Sequence, residues 1–430
     1  MNLPKLLRKS LLLGVVALNW QWAHAYDVGP FTINGFAKIE ASRASNQCAN
    51  CQLFPLEDRN RPWADSLAAG VPYGTTGGHL SLIQPYLGTR EFDLGGGFKV
   101  KGLLSQRWRD GKVDIQGVWY EKNLTLRHED YGMLQVGAFP TRGWAVADYP
   151  YGTILGIADP WGASGAGYGL LTRAVRYGAP LQDVAGGDLY LEFTVDAGDS
   201  NWQTQRPRFM EAYAKYVRGP LMLDFIAQSA KNGQAMAWGH GPFIGASTSA
   251  PYLGNTVPAN DQSILMVMGR YQFDAKTDLY AGIRHNRWSG ARGVITGLTA
   301  DSDYTWSNMF NVNTGDLTKA YPASSTDISL GVVYRFMPQW SARVGLVHLG
   351  KASTSNPTER GQSNSMVLGS VGVGYDVTPD LTVYGFAGMV NFARKGLGPL
   401  SMPSNTAFTG VDPRVATNGN WAGVGLVLKF

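Results

Sequence analysis

No stretch of this 430-residue chain is apolar for long enough to cross a bilayer as a helix, which takes about 20 residues. Any membrane role must therefore use strands. Cysteine is nearly missing: Cys48 and Cys51, in NQCANCQ, are the only two. The six histidines (His24, His79, His128, His240, His285, His348) are scattered singly, so the Cys pair lacks the second ligand pair that a zinc site needs. Gln52 follows the second Cys where a c-type haem attachment needs His. The chain also lacks a Gly-x-Ser-x-Gly elbow and a phosphate-cradling Gly-rich loop with its Lys. No catalytic constellation, cofactor or metal site is expected.

Charge of one sign is lacking too. The formal net charge of +5 falls to +2 once Lys5, Arg8 and Lys9 are set aside as part of a removable leader. A nucleic-acid partner would call for a clustered basic face, so none is expected. The leader is read from those three cations, the short apolar run Leu11 to Leu18 and the small-x-small ending Ala23-His24-Ala25, the pattern of a secretory signal over residues 1–25. Residues 26–430 then form a single exported domain. Export makes a local Cys48–Cys51 disulfide plausible, with a free or metal-linked pair as the alternative.

What the chain has in quantity is alternation. Apolar residues recur at every second position in runs of about 9 to 13 residues, the length of a tilted membrane strand. In Phe98–Arg109 the apolar row is Phe98, Val100, Gly102, Leu104 and Trp108, and the other row is Lys99, Lys101, Ser105, Arg107 and Arg109. A soluble sandwich would not bury that cationic row, whereas a barrel with a wet lumen exposes it to water inside and shows lipid the apolar row. Asp110–Lys112 reads as a tight hairpin, and the return run Val113–His128 changes phase near Tyr120–Lys122, which implies a bulge. Continued to Phe430, the pattern predicts an all-β transmembrane antiparallel barrel of about sixteen strands, an even count as in bacterial single-chain barrels.

Connections sort into two alternating sets. Gly219-Pro220, Asp274–Thr277, Met337–Gln339 and Val377–Asp380 are short, while 197–207, 232–262, 289–325, 351–364 and 395–419 are long and rich in Gly, Ser, Thr, Asn and Pro. Short periplasmic turns and long external loops are expected of an outer-membrane barrel. Interface aromatics are read at Trp108, Tyr216, Tyr271, Trp288, Phe336, Trp340 and Trp421.

The last strand reads NWAGVGLVLKF, with Ala422, Val424, Leu426, Leu428 and Phe430 on one face. With the strand count, the opening strand FTINGFAKIEAS and the long third loop, the mature chain resembles the general bacterial porins of Gram-negative outer membranes. The resemblance implies a homotrimer surrounded by outer-membrane lipid, an early loop latching over the neighbouring wall, and a terminal strand ending in Phe430 that is presented to the outer-membrane assembly machinery. The third loop lacks the acidic Pro-Glu-Phe-Gly-Gly type motif of many general porins, and the chain is longer than the usual member.

That third loop, Pro140 to Tyr168, is the candidate constriction. Folded into the lumen, its Asp148 and Asp159 would face cations on the wall: Lys99, Lys101, Arg107, Arg109 and Arg127, with Arg284 and Arg343 as weaker choices. Opposed charges across a waist create a transverse field that biases ion flow. Both acids precede Pro or Tyr-Pro, where a turn role competes. Trp144, Tyr149, Tyr151 and Trp161 read as packing anchors of the loop, and Glu211, Lys215 and Asp224 as a lumenal charge cluster. The functional expectation is passive diffusion of small hydrophilic solutes and ions. The alternatives are a channel selective for an anion or organic acid and a barrel serving as scaffold for a partner protein.

Overall fold

In the computed structural model the described residues are 26–44, 76–109, 112–113, 119–146, 169–197, 208–234, 259–288, 322–354, 363, 365–394, 397–399, 410–411 and 417–430. The leader 1–25, Cys48, Cys51, Asp148, Tyr149, Tyr151, Asp159 and Trp161 lie outside them.

Sixteen strands carry the wall: β1 (Phe31–Ala44), β2 (Thr76–Thr89), β3 (Phe98–Ser105), β4 (Glu121–His128), β5 (Gly132–Pro140), β6 (Leu170–Val184), β7 (Gly187–Asp196) and β8 (Arg208–Arg218), then β9 (Leu221–Gln234), β10 (Ala259–Gln272), β11 (Thr277–Trp288), β12 (Ala323–Met337), β13 (Trp340–Leu349), β14 (Met366–Asp376), β15 (Leu381–Phe392) and β16 (Asn418–Lys429). Each pairs antiparallel with the next, and β16 returns to β1 with Phe36 opposite Lys429 and Ala44 opposite Trp421. The sheet is therefore a closed barrel, the form in which strands can span lipid. At the seam Gly35 donates to the Phe430 carbonyl at 2.6 Å and Phe430 donates back at 3.0 Å. Position 35 must be glycine-small, because a Cβ there would lie 2.8 Å from the Phe430 ring.

The strands fold this way because their side chains alternate between two solvents. Leu124, Leu191, Phe193, Met210, Leu265, Ile283, Leu330 and Val344 point outward and are exposed, while Glu121, Asn123, Thr125, Glu192, Thr194, Glu211, Gln228, Arg284 and Asn286 are buried on the inner side. That apolar-out, polar-in phase suits lipid outside and water within.

Two expectations are corrected. Phe98–Arg109 is not one continuous strand: Ser105, Gln106 and Arg107 are all buried in succession, which alternation cannot accommodate. The strand breaks after Ser105. Beyond the break Trp108 and Arg109 pair with Val113 and Lys112 on one side and with Ile83 and Leu82 of β2 on the other; the turn residues Asp110 and Gly111 lie outside the described residues. The return strand starts only at Glu121. Secondly, Trp288 and Trp421 are not interface residues. They share the inward phase of Arg284 and Val427 and are 1% and 2% exposed. Trp340 and Tyr271 do face out, and Trp340 lies in a short-turn-end row with Phe336 at 6.2 Å and Tyr375 at 4.7 Å, the rings tilted to one another.

Candidate functional site: the root of the third loop

The third loop leaves β5 through Thr141 and a single helical turn, α1 (Arg142–Ala145). Thr141 starts it by accepting a hydrogen bond from the Trp144 amide on its hydroxyl at 3.3 Å, the usual role of a Thr cap. The Thr141 amide donates to the Gly169 carbonyl at 3.0 Å, drawing the two ends of the loop together. Past this neck the root lies on the inner wall of β7, β8 and β9.

Two wall side chains hold it. Glu192 of β7 receives the Arg142 guanidinium in a two-pronged pair, Nε to Oε2 at 2.5 Å and Nη2 to Oε1 at 2.6 Å, and also accepts the Tyr190 hydroxyl at 2.8 Å. Glu211 of β8 accepts the backbone amides of Arg142 at 2.9 Å and Gly143 at 3.0 Å, plus the Gln228 amide at 2.5 Å. Gly143 is a close approach, since a Cβ there would overlap the Gln228 amide. Burial alone would lower the Arg142 pKa, but the paired Glu192 raises it above the ordinary guanidinium value. Arg142 is a fixed cation, its guanidinium carbon 5.4 Å from the Tyr213 ring.

Behind this pair stands Arg176 of β6. Its guanidinium is 3.7 Å from Glu192 and 3.6 Å from Glu211, donates to the Pro140 carbonyl at 2.9 Å, and covers the Phe139 ring at 4.4 Å. Asp196 of β7 accepts the Thr172 and Arg173 amides at 2.8 and 3.1 Å, fixing the strand that receives the loop on its way back. Both Glu192 and Glu211 side chains are almost fully buried. Each carboxylate is surrounded by donors, an arrangement that specifies geometry more than it adds stability.

On the other side of the root, Arg107 lies 5.7 Å from the Trp144 ring and 5.9 Å from the Tyr120 ring. The structure thus brings together two sequence-predicted residues, Arg107 and Trp144, and gives Arg107 a packing partner. It is only 6% exposed. Lys99, Lys101 and Arg127 face inward as predicted, but toward the short-turn end of the wall; Lys99 sits opposite Arg127 and Asp93. Arg127 pairs with Glu91 at 3.2 Å. The backbone of Arg109 pairs with Leu82 and Lys112. Arg284 is bound to Asp327 at 2.9 Å, away from the root.

In the described part of the loop the charge is the cation Arg142, which the wall meets with Glu192 and Glu211; the expected loop acids Asp148 and Asp159 lie outside the described residues. Arg142, Arg176, Glu192 and Asp196 were missed. Glu192 could have been found from its phase between Leu191 and Phe193; for Arg142 the sequence carries no comparable signal, since an arginine at a loop's start has no period. Glu211, Lys215 and Asp224 were read correctly as inward, with Lys215 directly opposite Asp224 and Tyr213 donating to Asp224 at 2.7 Å.

No protein-family model matches this chain, and no curated protein matches it. Solved structures do. OmpT, an outer membrane protein of Vibrio cholerae, in its trimer form aligns over 93% of this chain and 100% of its own at 13% identity and a TM-score of 0.57. An anion-selective porin from Comamonas acidovorans aligns over 93% and 99% at 12% identity and 0.56. The outer membrane channel DcaP of Acinetobacter baumannii aligns over 95% and 100% at 11% identity and 0.53. Identities this low speak for the fold alone. The chain shares the barrel fold of these outer-membrane proteins, closed here by sixteen strands.

Proposed function

We propose that the barrel is a passive, non-enzymatic diffusion channel for small hydrophilic solutes and ions, exported by a cleaved leader and working as a homotrimer. The carrying observation is the root of the third loop, held on the inner wall by Glu192 and Glu211 inside a barrel whose outer face is apolar. A loop held inward narrows a water-filled lumen, and fixed charges there bias which ions pass. The trimer is supported by the trimer form of OmpT. Export and assembly are supported by the leader pattern and by Phe430 at the seam.

The test is swelling of liposomes containing the purified protein in iso-osmotic sugars of increasing size. Rates that fall with solute size and ignore stereochemistry fit the proposal; no swelling in any sugar opposes it.

A second reading is an anion-selective or organic-acid channel. It is favoured by Lys99, Lys101 and Arg127 on neighbouring inward positions of β3 and β4, and the Comamonas porin is anion-selective. Under this reading the Lys99→Gln, Lys101→Gln double variant moves the zero-current potential in a salt gradient toward cations. An unchanged potential would remove these lysines from the selectivity path.

A further inference from the structure

At the short-turn end of β10 to β13 the inner wall carries an unequal set of charges. Asp278 on β11 is fully buried, and both of its oxygens are taken by arginine. Arg270 of β10 donates to Oδ1 through Nε at 3.1 Å and Nη2 at 2.9 Å, and Arg335 of β12 donates to Oδ2 through Nη1 at 2.7 Å. The shared acid holds the two guanidiniums side by side. Their side chains are 28% and 46% exposed, whereas that of Asp278 is sealed at 0%.

A tie between wall strands does not need this arrangement. Further along the same strands Arg284 and Asp327 pair one to one, and both are buried. One arginine would neutralise Asp278 too, so the group of three carries one positive charge in excess. Arg335 engages the acid through Nη1 alone, and its other N–H donors are left for an anion. Arg343 of β13 adds to the imbalance: it shares the inward phase of Val347 and stands opposite Val333, which stands opposite Asp278. Among the described inward positions of these four strands at this end, Asp278 is the one acid. The nearest acids on the flanking strands are bonded already. Asp224 on β9 accepts the Tyr213 hydroxyl at 2.7 Å and faces Lys215, and Asp376 at the end of β14 accepts the Thr382 hydroxyl at 2.6 Å.

We propose that Arg335 and Arg270, presented by Asp278, form a binding site for a solute that carries a carboxylate. The flat fork of a guanidinium matches the two oxygens of a carboxylate through paired N–H donors. One carboxylate also balances the one charge in excess, which a neutral solute of the same shape cannot do. A wall lined by one sign of charge raises the local concentration of the opposite ion before it binds. The site rests on the lumen being open to solute, as proposed above, and not on Lys99, Lys101 or Arg127, which stand on β3 and β4.

The test is an NMR titration of the arginine Nε–H signals in the detergent-solubilised full-length protein, with acetate, with its neutral analogue acetamide and with chloride. Acetate is expected to move the Arg335 and Arg270 signals saturably, chloride more weakly, and acetamide not at all. Arg335→Gln is expected to weaken acetate binding roughly tenfold, read on the Arg270 signal, in keeping with loss of charge-assisted bonds. Arg335→Lys, which keeps the charge without the fork, is expected to fall between the two. Lys276→Gln removes one cation from the exposed turn nearby and is expected to leave binding unchanged. Equal responses to acetate and acetamide, a shift that never saturates, unchanged binding in Arg335→Gln, or an equal loss in Lys276→Gln would overturn the proposal. Binding is read here without conduction, so a channel that conducts while its arginines ignore acetate removes this site and leaves the diffusion channel standing.

Discussion

Removing the Glu211 carboxylate would leave the Arg142 and Gly143 amides and the Gln228 amide without their shared acceptor. Buried donors stranded in this way cost about 1–3 kcal/mol each. Glu211→Ala is therefore expected to destabilise the barrel by about 3 kcal/mol and to free the loop root; a lowered unfolding temperature in detergent together with noisier single-channel current checks it. Glu211→Gln keeps an acceptor and should lose less. Glu211, Lys215 and Asp224 were legible in the sequence because a period of two places them all inward. The partner of Glu192 was not, because its bond to Arg142 spans |i−j| = 50. Nothing local in Arg142-Gly143-Trp144-Ala145 announces which wall acid it will meet.

Strands and turns supply their own tests. Gly132 begins β5 with φ +84, and a Cβ there would also run into the Gly178 carbonyl of the neighbouring strand. Left-handed backbone costs a non-glycine residue on the order of 1–3 kcal/mol, and the clash adds to it, so Gly132→Ala should lower the unfolding temperature while a nearby outward Leu134→Val barely moves it. In the β10–β11 turn the Asp274 carboxylate accepts the Lys276 and Thr277 amides, each at 2.7 Å. The Lys276 backbone bond leads the forces that hold its carboxyl below the usual aspartate range. A lowered folded pKa means that the turn is stabilised above the ordinary value near 3.9 and loses that contribution as pH falls through the folded value. Carboxyl titration by NMR should place the Asp274 midpoint below that of the unfolded chain; a midpoint at or above it would contradict the turn geometry. The expected single strand through Arg109 failed for a legible reason, since alternation predicts phase but not where two adjacent polar side chains both turn in. Gln106 and Arg107 did so, and the wall broke there.

At the scale of the whole molecule, closure is what the alternation demanded. Sixteen amphipathic strands close on themselves with Phe430 locked to Gly35, and the strand count was readable because each run had to be both long enough and correctly phased for lipid. The three-dimensional meeting of charges across the lumen was not readable, because it depends on strand tilt and on where one loop turns back. A further consequence concerns the wall itself: Arg284 and Asp327 form a buried pair, reinforced by Asn286 donating to Asp327 at 2.7 Å. Arg284→Leu would strand Asp327 and is expected to cost about 3–5 kcal/mol, read as a lower thermal midpoint of the heat-modifiable band on gels.

The central claim is an open, water-filled lumen narrowed by a loop fixed to its wall. Recording from the purified protein in a planar lipid bilayer tests it most directly. The account predicts discrete upward current steps that scale with salt concentration, with the Glu211→Ala channel noisier than the parent. Membranes that stay silent at every protein concentration and voltage, although the barrel is folded and inserted, would contradict it.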